Sequence, residues 1–242
     1  LPTKCTPLML SRAYRAKDPR YGRAAALSSQ LAALKGEGRW AAICDLLSCG
    51  WLAPITDDDL FELFCLVLIL DIIETDEGFG TPVEFGLIWR DRNHVAQFNK
   101  GGTSITVYFN QSISRIFSIK THYSEFKLNH KFFPVGSRRP DIVLVVKDNN
   151  GERRIIVECK ATTDPKYARD SVYKVFGYLY DFLEIWRNVG HSGPKAILVF
   201  PSHVSFHRSG NMFEDLVAAS AKDRASLQRA LELVMSDRKT EH

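Results

Sequence analysis

Apolar residues recur first at helical spacing and later at alternate positions, and this change of period divides the chain. Over SRAYRAKDPRYGRAAALSSQLAAL, Leu27, Leu31 and Leu34 fall on one helical face with arginines on the others. Gly36 and Gly38 punctuate that stretch, and RWAAICDLLSCG predicts a second helix ending at Gly50. Pro54 then precedes Thr56-Asp57-Asp58-Asp59, where acidic side chains favour a helix start through the positive end of its dipole. The helix beginning there, DDDLFELFCLVLILDIIE, is apolar nearly all round and is expected to lie buried in the core.

From Val83 to about Asn129 the pattern alternates. FGLIWRD, HVAQF, SITVYFNQS and IFSIKTHYSEFKL read as strands separated by turns, an antiparallel meander. The block RRPDIVLVVKDNNGERRIIVECKAT then predicts a hairpin, with the β-branched run IVLVV and the strand RIIVECK joined at an Asn-Gly turn. Helix SVYKVFGYLYDFLEIWRNVG, strand KAILVF and a last helix from about Met212 to Met235 complete an α/β pattern. The expected division is a basic helical N-terminal region, 1–55, and an α/β domain, 56–242.

Composition narrows what such a chain can do. With 242 residues and 45% hydrophobic content it can bury one substantial core, with room for a small helical annex. The run from Phe64 to Ile73 is broken by Asp71 and is far shorter than the roughly 20 residues of a membrane span, so no membrane partner is expected. LPTKCTPLML lacks an initiating Met and the apolar run of a signal peptide, so the sequence is expected to be an excised domain. The cysteines number five, an odd count with no C-x-x-C pair, which argues against a disulfide framework or a zinc site and for a reducing, cytoplasmic setting. The histidines include no H-E-x-x-H motif, so a catalytic metal is expected on oxygen ligands.

The net charge of +4 is unevenly distributed: residues 1–39 hold eight basic side chains against two acidic ones. A basic segment beside a nearly neutral body suits contact with phosphates, and Arg12, Arg15, Arg20 and Arg23 are its candidates. A solvated helix face is the alternative.

An acidic residue, any residue, then Lys occurs four times: Glu125-Phe-Lys127, Glu158-Cys-Lys160, Asp164-Pro-Lys166 and Asp237-Arg-Lys239. Only Glu158-Cys-Lys160 ends a long apolar strand that follows Pro140-Asp141 and a strand of opposite direction. Side chains two apart on a strand share a face and lie roughly 6–7 Å apart, so Ile156, Glu158 and Lys160 point one way and Ile155, Val157 and Cys159 the other. Cys159 is then a core residue. Asp141 opens the first strand and Glu158 closes on the end of the second, so the two carboxylates come from one end of the hairpin and can share a metal ion. Hard Mg²⁺ prefers such oxygen ligands and keeps waters that leave room for a phosphate. Lys160 would orient the nucleophile or stabilise charge building on the phosphate, the chemistry of phosphodiester hydrolysis. The alternative is a half-exposed, salt-bridged face.

RRPDIVLVV followed by RIIVECK resembles the signature of the PD-(D/E)XK, or restriction-endonuclease-like, nuclease superfamily. The resemblance implies an α/β fold with a mixed central sheet flanked by helices, to which the residue pattern adds an N-terminal helical annex and an antiparallel strand meander. It implies Mg²⁺, with Mn²⁺ able to substitute, and DNA as substrate. A closer likeness is to the nuclease subunit of McrBC-type modification-dependent restriction systems. From that likeness Glu62, in LFELFCLVLILDII, becomes the third acidic residue and a third ligand to the metal beside Asp141 and Glu158, with Glu74 and Glu84 as alternatives. Where many superfamily members carry Gln-x-x-x-Tyr, this chain has Lys174-Val-Phe-Gly-Tyr178, which leaves that helix's role open. Arg138 and Arg139, just ahead of Asp141, are candidates for phosphate contact along with Lys174 and Tyr178. The likeness also implies defence against foreign DNA and a separate AAA+ type NTPase, since no G-x-x-x-x-G-K-[ST] occurs here. Assembly as a homo-oligomer stays open. The rival expectations are a nuclease-like domain that binds nucleic acid without cutting it, and one that docks a motor subunit.

Overall fold

The computed structural model describes residues 7–15, 22, 25, 56–86, 93–130, 139–187, 189, 193–202 and 215–235. The chain divides into two units, Leu1–Thr56 and Asp57–His242. In the first, helix α1 (Pro7–Tyr14) opens on a proline, whose fixed φ suits a first helical position, and carries Arg12 in its last turn. Arg12 and Arg15 are exposed, whereas Arg20, Arg23 and the helix predicted over RWAAICDLLSCG lie outside the described residues.

The described elements of the second unit run α2 (Asp57–Thr75), β1 (Glu84–Phe85), β2 (Ala96–Lys100), β3 (Thr103–Phe109), α3 (Ile113–Phe117), α4 (His122–Asn129), β4 (Ile142–Asp148), β5 (Gly151–Cys159), α5 (Pro165–Asp181), α6 (Glu184–Arg187), β6 (Ala196–Phe200), β7 (Leu216–Ser220) and α7 (Arg224–Met235). They build a seven-stranded sheet whose spatial order follows the chain, β1 to β7. Pairing is antiparallel from β1 to β5 and parallel from β5 through β6 to β7, so the sheet is mixed and helices flank it. No helix among the described residues is long and apolar enough to cross a membrane.

Both sheet faces are covered, which is why IVLVV of β4, IIV of β5 and AILVF of β6 read as uninterrupted apolar runs. On one face Val143, Val145, Ile156, Ala196 and Leu198 pack against Val175, Tyr178 and Phe182 of the α5 region and Ile185 and Trp186 of α6. Against the other face lies α2, whose buried Cys65 meets the Cys159 thiol of β5. Arg224 at the start of α7 donates to Asp71 at 2.5 Å and to Asp76 at 2.9 Å, tying α2 to α7. The burial expected of α2 holds for its middle and end, whereas Leu60 and Phe64 in its first half are exposed.

Four sequence expectations give way. IFSIKTHYSEFKL is not a strand but α3 and α4, because Ser118 turns the chain through the left-handed region and Thr121 with Ser124 forms a capping box that starts a helix. The stretch from Met212 to Met235 is not one helix: Leu216–Ser220 pairs with β6 as an edge strand, and short apolar runs have no period that separates the two states. The β4–β5 turn is Asn149–Asn150, with Gly151 at φ +141°, and Asp148 Oδ1 accepts from the Asn150 and Gly151 backbone N–H groups. The helix expected from Ser171 starts earlier, at Pro165, because the Asp164 carboxylate accepts from Lys166 N and caps it. That cap also accounts for the Asp164-Pro-Lys166 triplet. The run FGLIWRD contributes Phe85 to β1, and residues 87–92 lie outside the described ones.

Phe182 is fully buried and stacks on Tyr178 with centroids 5.3 Å apart, at the hinge between α5 and α6. Phe182→Ala is expected to destabilise the protein by about 3–5 kcal/mol. A urea titration checks this through a lower midpoint at unchanged slope, and an unmoved midpoint would contradict the packing described.

Candidate active site

The β4–β5 register sets the first distances. Ile142 faces Val157 and Val143 faces Ile156, so one step outward along the same ladder Asp141 stands opposite Glu158. Asp141 is held there by Cys159, whose backbone N–H donates to Asp141 Oδ2 at 2.6 Å. Strand alternation turns Glu158 to the α5 face and Cys159 to the α2 face, as the sequence predicts, and both are buried. Glu158 is 0% exposed and Asp141 8% exposed.

Two ammonium groups meet the buried Glu158. Lys160 Nζ lies 2.7 Å from Glu158 Oε1 and 3.9 Å from Asp141 Oδ2, and it also donates to the Cys159 carbonyl at 2.8 Å. Lys174 Nζ, reaching down from α5, pairs with the same Glu158 Oε1. Lys174 thus stands at the site although it lies on a different element from Asp141 and Lys160. Burial pulls both lysines down, but Glu158, chiefly, and Asp141 outweigh it and hold their pKa values above the ordinary lysine range. Glu158 Oε2, by contrast, is buried with no hydrogen-bond partner among the described residues.

Glu62 joins this group from the first turns of α2. Burial raises its carboxyl pKa, Lys160 opposes the rise, Glu158 and Asp59 add to it, and a side-chain hydrogen bond with Asp141 lowers it. Glu74 lies 12 residues further along α2, about 18 Å at 1.5 Å per residue, and Glu84 is engaged by His94 at 2.8 Å. Of the three acidic candidates, only Glu62 is therefore brought to Asp141 and Glu158. Burial first, then Glu158, pushes the Asp141 carboxyl up to about 7, with Lys160 and the Cys159 N–H opposing.

The remaining candidates separate. Tyr178 is buried and its hydroxyl donates to the Arg139 carbonyl at 3.0 Å, so it fixes the segment ahead of Asp141 from beneath and presents no ring to a ligand. Arg139 itself is exposed, and Arg138 lies outside the described residues. Lys174 was legible as a candidate only through its place four residues before Tyr178; its ion pair with Glu158 was not.

As arranged, the described residues contain no cluster of three or more His, Cys, Asp or Glu side chains placed to hold a metal ion. His203 and His207, four apart in the sequence, lie outside them. A magnesium ion does not require such a cluster, because it commonly takes one or two carboxylates and keeps its waters. Asp141 and Glu158 supply only oxygen donors, and Glu158 Oε2 is a buried carboxylate oxygen with no hydrogen-bond partner among the described residues. On this chemistry the two carboxylates fit a hard divalent ion.

The raised Asp141 pKa has a definite sign. Between its unfolded value near 3.8 and its folded value of about 7, the folded protein keeps a proton the unfolded chain has lost, so this group's contribution to stability falls as pH rises through that window. Asp141→Asn removes the penalty. Without divalent metal it is expected to stabilise the protein by a few kcal/mol at pH 8 and by little near pH 4, read from urea midpoints at both pH values. Equal effects at the two pH values would remove the electrostatic account.

No family model, no curated protein and no solved structure matches this chain.

Proposed function

We propose that this protein is a metal-dependent endonuclease of restriction-endonuclease-like fold that hydrolyses DNA phosphodiester bonds. The observation that carries the reading is the convergence of Asp141, Glu158, Lys160 and Glu62 from two strands and a helix on one buried, partly unsatisfied anionic site. Structural ion pairs are normally satisfied on the protein's own terms. Here one carboxylate oxygen is orphaned, a second carboxyl is pushed toward neutrality, and two lysines crowd a single oxygen.

Asp141 and Glu158 would hold Mg²⁺, or Mn²⁺ in its place. When bound, the ion polarises the phosphate and lowers the pKa of an attacking water. Lys160 places a fixed positive charge beside both carboxylates, where it stabilises charge developing on the phosphate. Lys174 supplies a second cation that can exchange Glu158 for a substrate oxygen. Glu62, with its raised pKa and partial exposure, is positioned to take a proton from the attacking water or hand it to Asp141. Arg139, exposed at the mouth, and the arginines of the N-terminal unit are candidates for phosphate contact. A restriction or defence role beside an AAA+ type NTPase rests on the resemblance alone.

A second reading is a nuclease-like domain that binds nucleic acid or docks a motor subunit without cutting. It is favoured by Lys160 and Lys174 already neutralising Glu158 and by the lack of a three-membered ligand cluster among the described residues. A cleavage assay on supercoiled plasmid with Mg²⁺, Mn²⁺ or EDTA separates the two. The nuclease reading expects metal-dependent nicking that falls at least about 10²-fold in Asp141→Asn, Glu158→Gln and Lys160→Met, and about 10- to 100-fold in Glu62→Gln. Nicking that survives Asp141→Asn, or DNA binding without any cleavage in either metal, would decide for the second.

A further inference from the structure

The helices α4 and α5 meet along a seam that the catalytic group does not use. The Tyr123 backbone N–H donates to Asp181 Oδ1 at 2.6 Å, and beside this bond a recess of about 420 Å³ opens, lined by His122, Tyr123, Phe126, Gly177, Tyr180 and Asp181. Its walls are aromatic. His122 and Tyr180 meet edge to face with centroids 5.0 Å apart, and the rings of Phe126 and Tyr180 are exposed. Gly177, without a side chain, leaves room for a flat group to approach the α5 backbone.

The recess also holds an unmet hydrogen-bonding demand. Asp181 is only 4% exposed, yet its Oδ2 has no hydrogen-bond partner among the described residues. A buried carboxylate oxygen left this way is costly, so the site lacks a donor. A planar ring carrying N–H groups on its edge meets both requirements: stacking area on the aromatic walls and a donor for Asp181.

Charge and continuity select the class of ligand. Lys127, Lys166, Arg169 and Lys174 lie on the two helices against Glu125, Asp170 and Asp181, and Lys127 Nζ sits 5.9 Å over the Tyr123 ring. Lys127, beside the Tyr123 wall of the recess, and the other cations of these helices attract a phosphodiester backbone. Tyr173, Phe176 and Tyr180 are all exposed and form one stripe along α5 at helical spacing. Beside Tyr173 stands Lys174, which contacts Glu158, and the six residues from Lys174 to Tyr180 span about 9 Å of helix. The stripe therefore runs from the edge of the candidate active site to the recess.

We propose that the α4–α5 recess receives an unpaired, amino-bearing nucleobase of the substrate strand, stacked on Phe126 and Tyr180 with its N–H donating to Asp181 Oδ2, so that single-stranded or splayed DNA is preferred over closed duplex. This assignment rests on the nuclease reading for the source of the strand. Stacked aromatic platforms beside cationic side chains bind single strands in this manner, and carboxylates accept from the cytosine amino group.

Fluorescence anisotropy with short labelled oligonucleotides tests it, using the full chain as Glu158→Gln and, in parallel, the parent protein in EDTA. Oligo-dC and oligo-dA are expected to bind more tightly than oligo-dT or blunt duplex. Tyr180→Ala and Phe126→Ala, both exposed positions, should each weaken single-strand binding by about 5- to 100-fold while leaving the melting temperature in place. Asp181→Asn keeps an oxygen for the Tyr123 N–H but can present an amide donor to the recess, and should erase the preference for oligo-dC over oligo-dT. Unchanged single-strand affinity in Tyr180→Ala and Asp181→Asn overturns the proposal, as does an equal loss on duplex, or binding of a trimethyl-lysine peptide in place of the oligonucleotides. Metal-dependent nicking by a parent whose recess variants bind like wild type removes the recess alone. Base-selective binding without nicking removes the nuclease reading and leaves the nucleobase recess standing.

Discussion

A carboxylate with no solvent exposure must be compensated by its neighbours, and much of the local architecture follows from that requirement at Glu158. The β4–β5 register brings Asp141 opposite it, and burial, then repulsion between the two, raises Asp141 toward neutrality. Lys160, two residues on along the same strand direction, and Lys174, from the crossover helix, answer with positive charge. Burial works against the charge of each lysine, and Glu158 and Asp141 outweigh it. The lysines and Glu158 are thus mutually dependent: removing Lys160 or Lys174 leaves the buried Glu158 less compensated rather than opening a simple gap.

Elements remote from the charges serve that same arrangement. Tyr178 closes the core under α5 and fastens the Arg139 carbonyl, fixing the approach to Asp141, while its neighbour one turn earlier, Lys174, faces Glu158. On the opposite face, α2 is anchored by Arg224 through Asp71 and Asp76 and by the meeting of Cys65 with Cys159. One turn before Cys65 comes Glu62, so packing in the dry half of the helix sets the position of its polar start.

The hairpin, the buried helix α2 and the facing of Glu158 and Cys159 were legible because each rests on a strong local period. Strand alternation alone placed Glu158 and Lys160 on one side and Cys159 on the other. What was not legible depended on contacts distant in sequence. Nothing local distinguishes LVAAS as a strand until β6 offers an edge to pair with, and nothing in IFSIKTHYSEFKL outweighs its alternation except the Thr121 and Ser124 cap. The pairing of Lys174 with Glu158 and the unmet Asp181 oxygen arise only when α5 lies down on the sheet beside α4. Arg20, Arg23 and Arg138 fall outside the described residues, so the basic character of the N-terminal unit stands on sequence and on Arg12 and Arg15.

Because the sheet's spatial order repeats its order along the chain, the Asp141–Glu158 pair belongs to a hairpin closed by two residues, Asn149 and Asn150. Hairpins of this kind form in about 1–10 μs, well ahead of contacts that must close long loops. The two acidic strand residues are therefore assembled early, while still hydrated. Their desolvation waits until α2 and α5 dock, so the free-energy cost of enclosing those charges falls late in folding, on the steps that bring Glu62 and Lys174 into place.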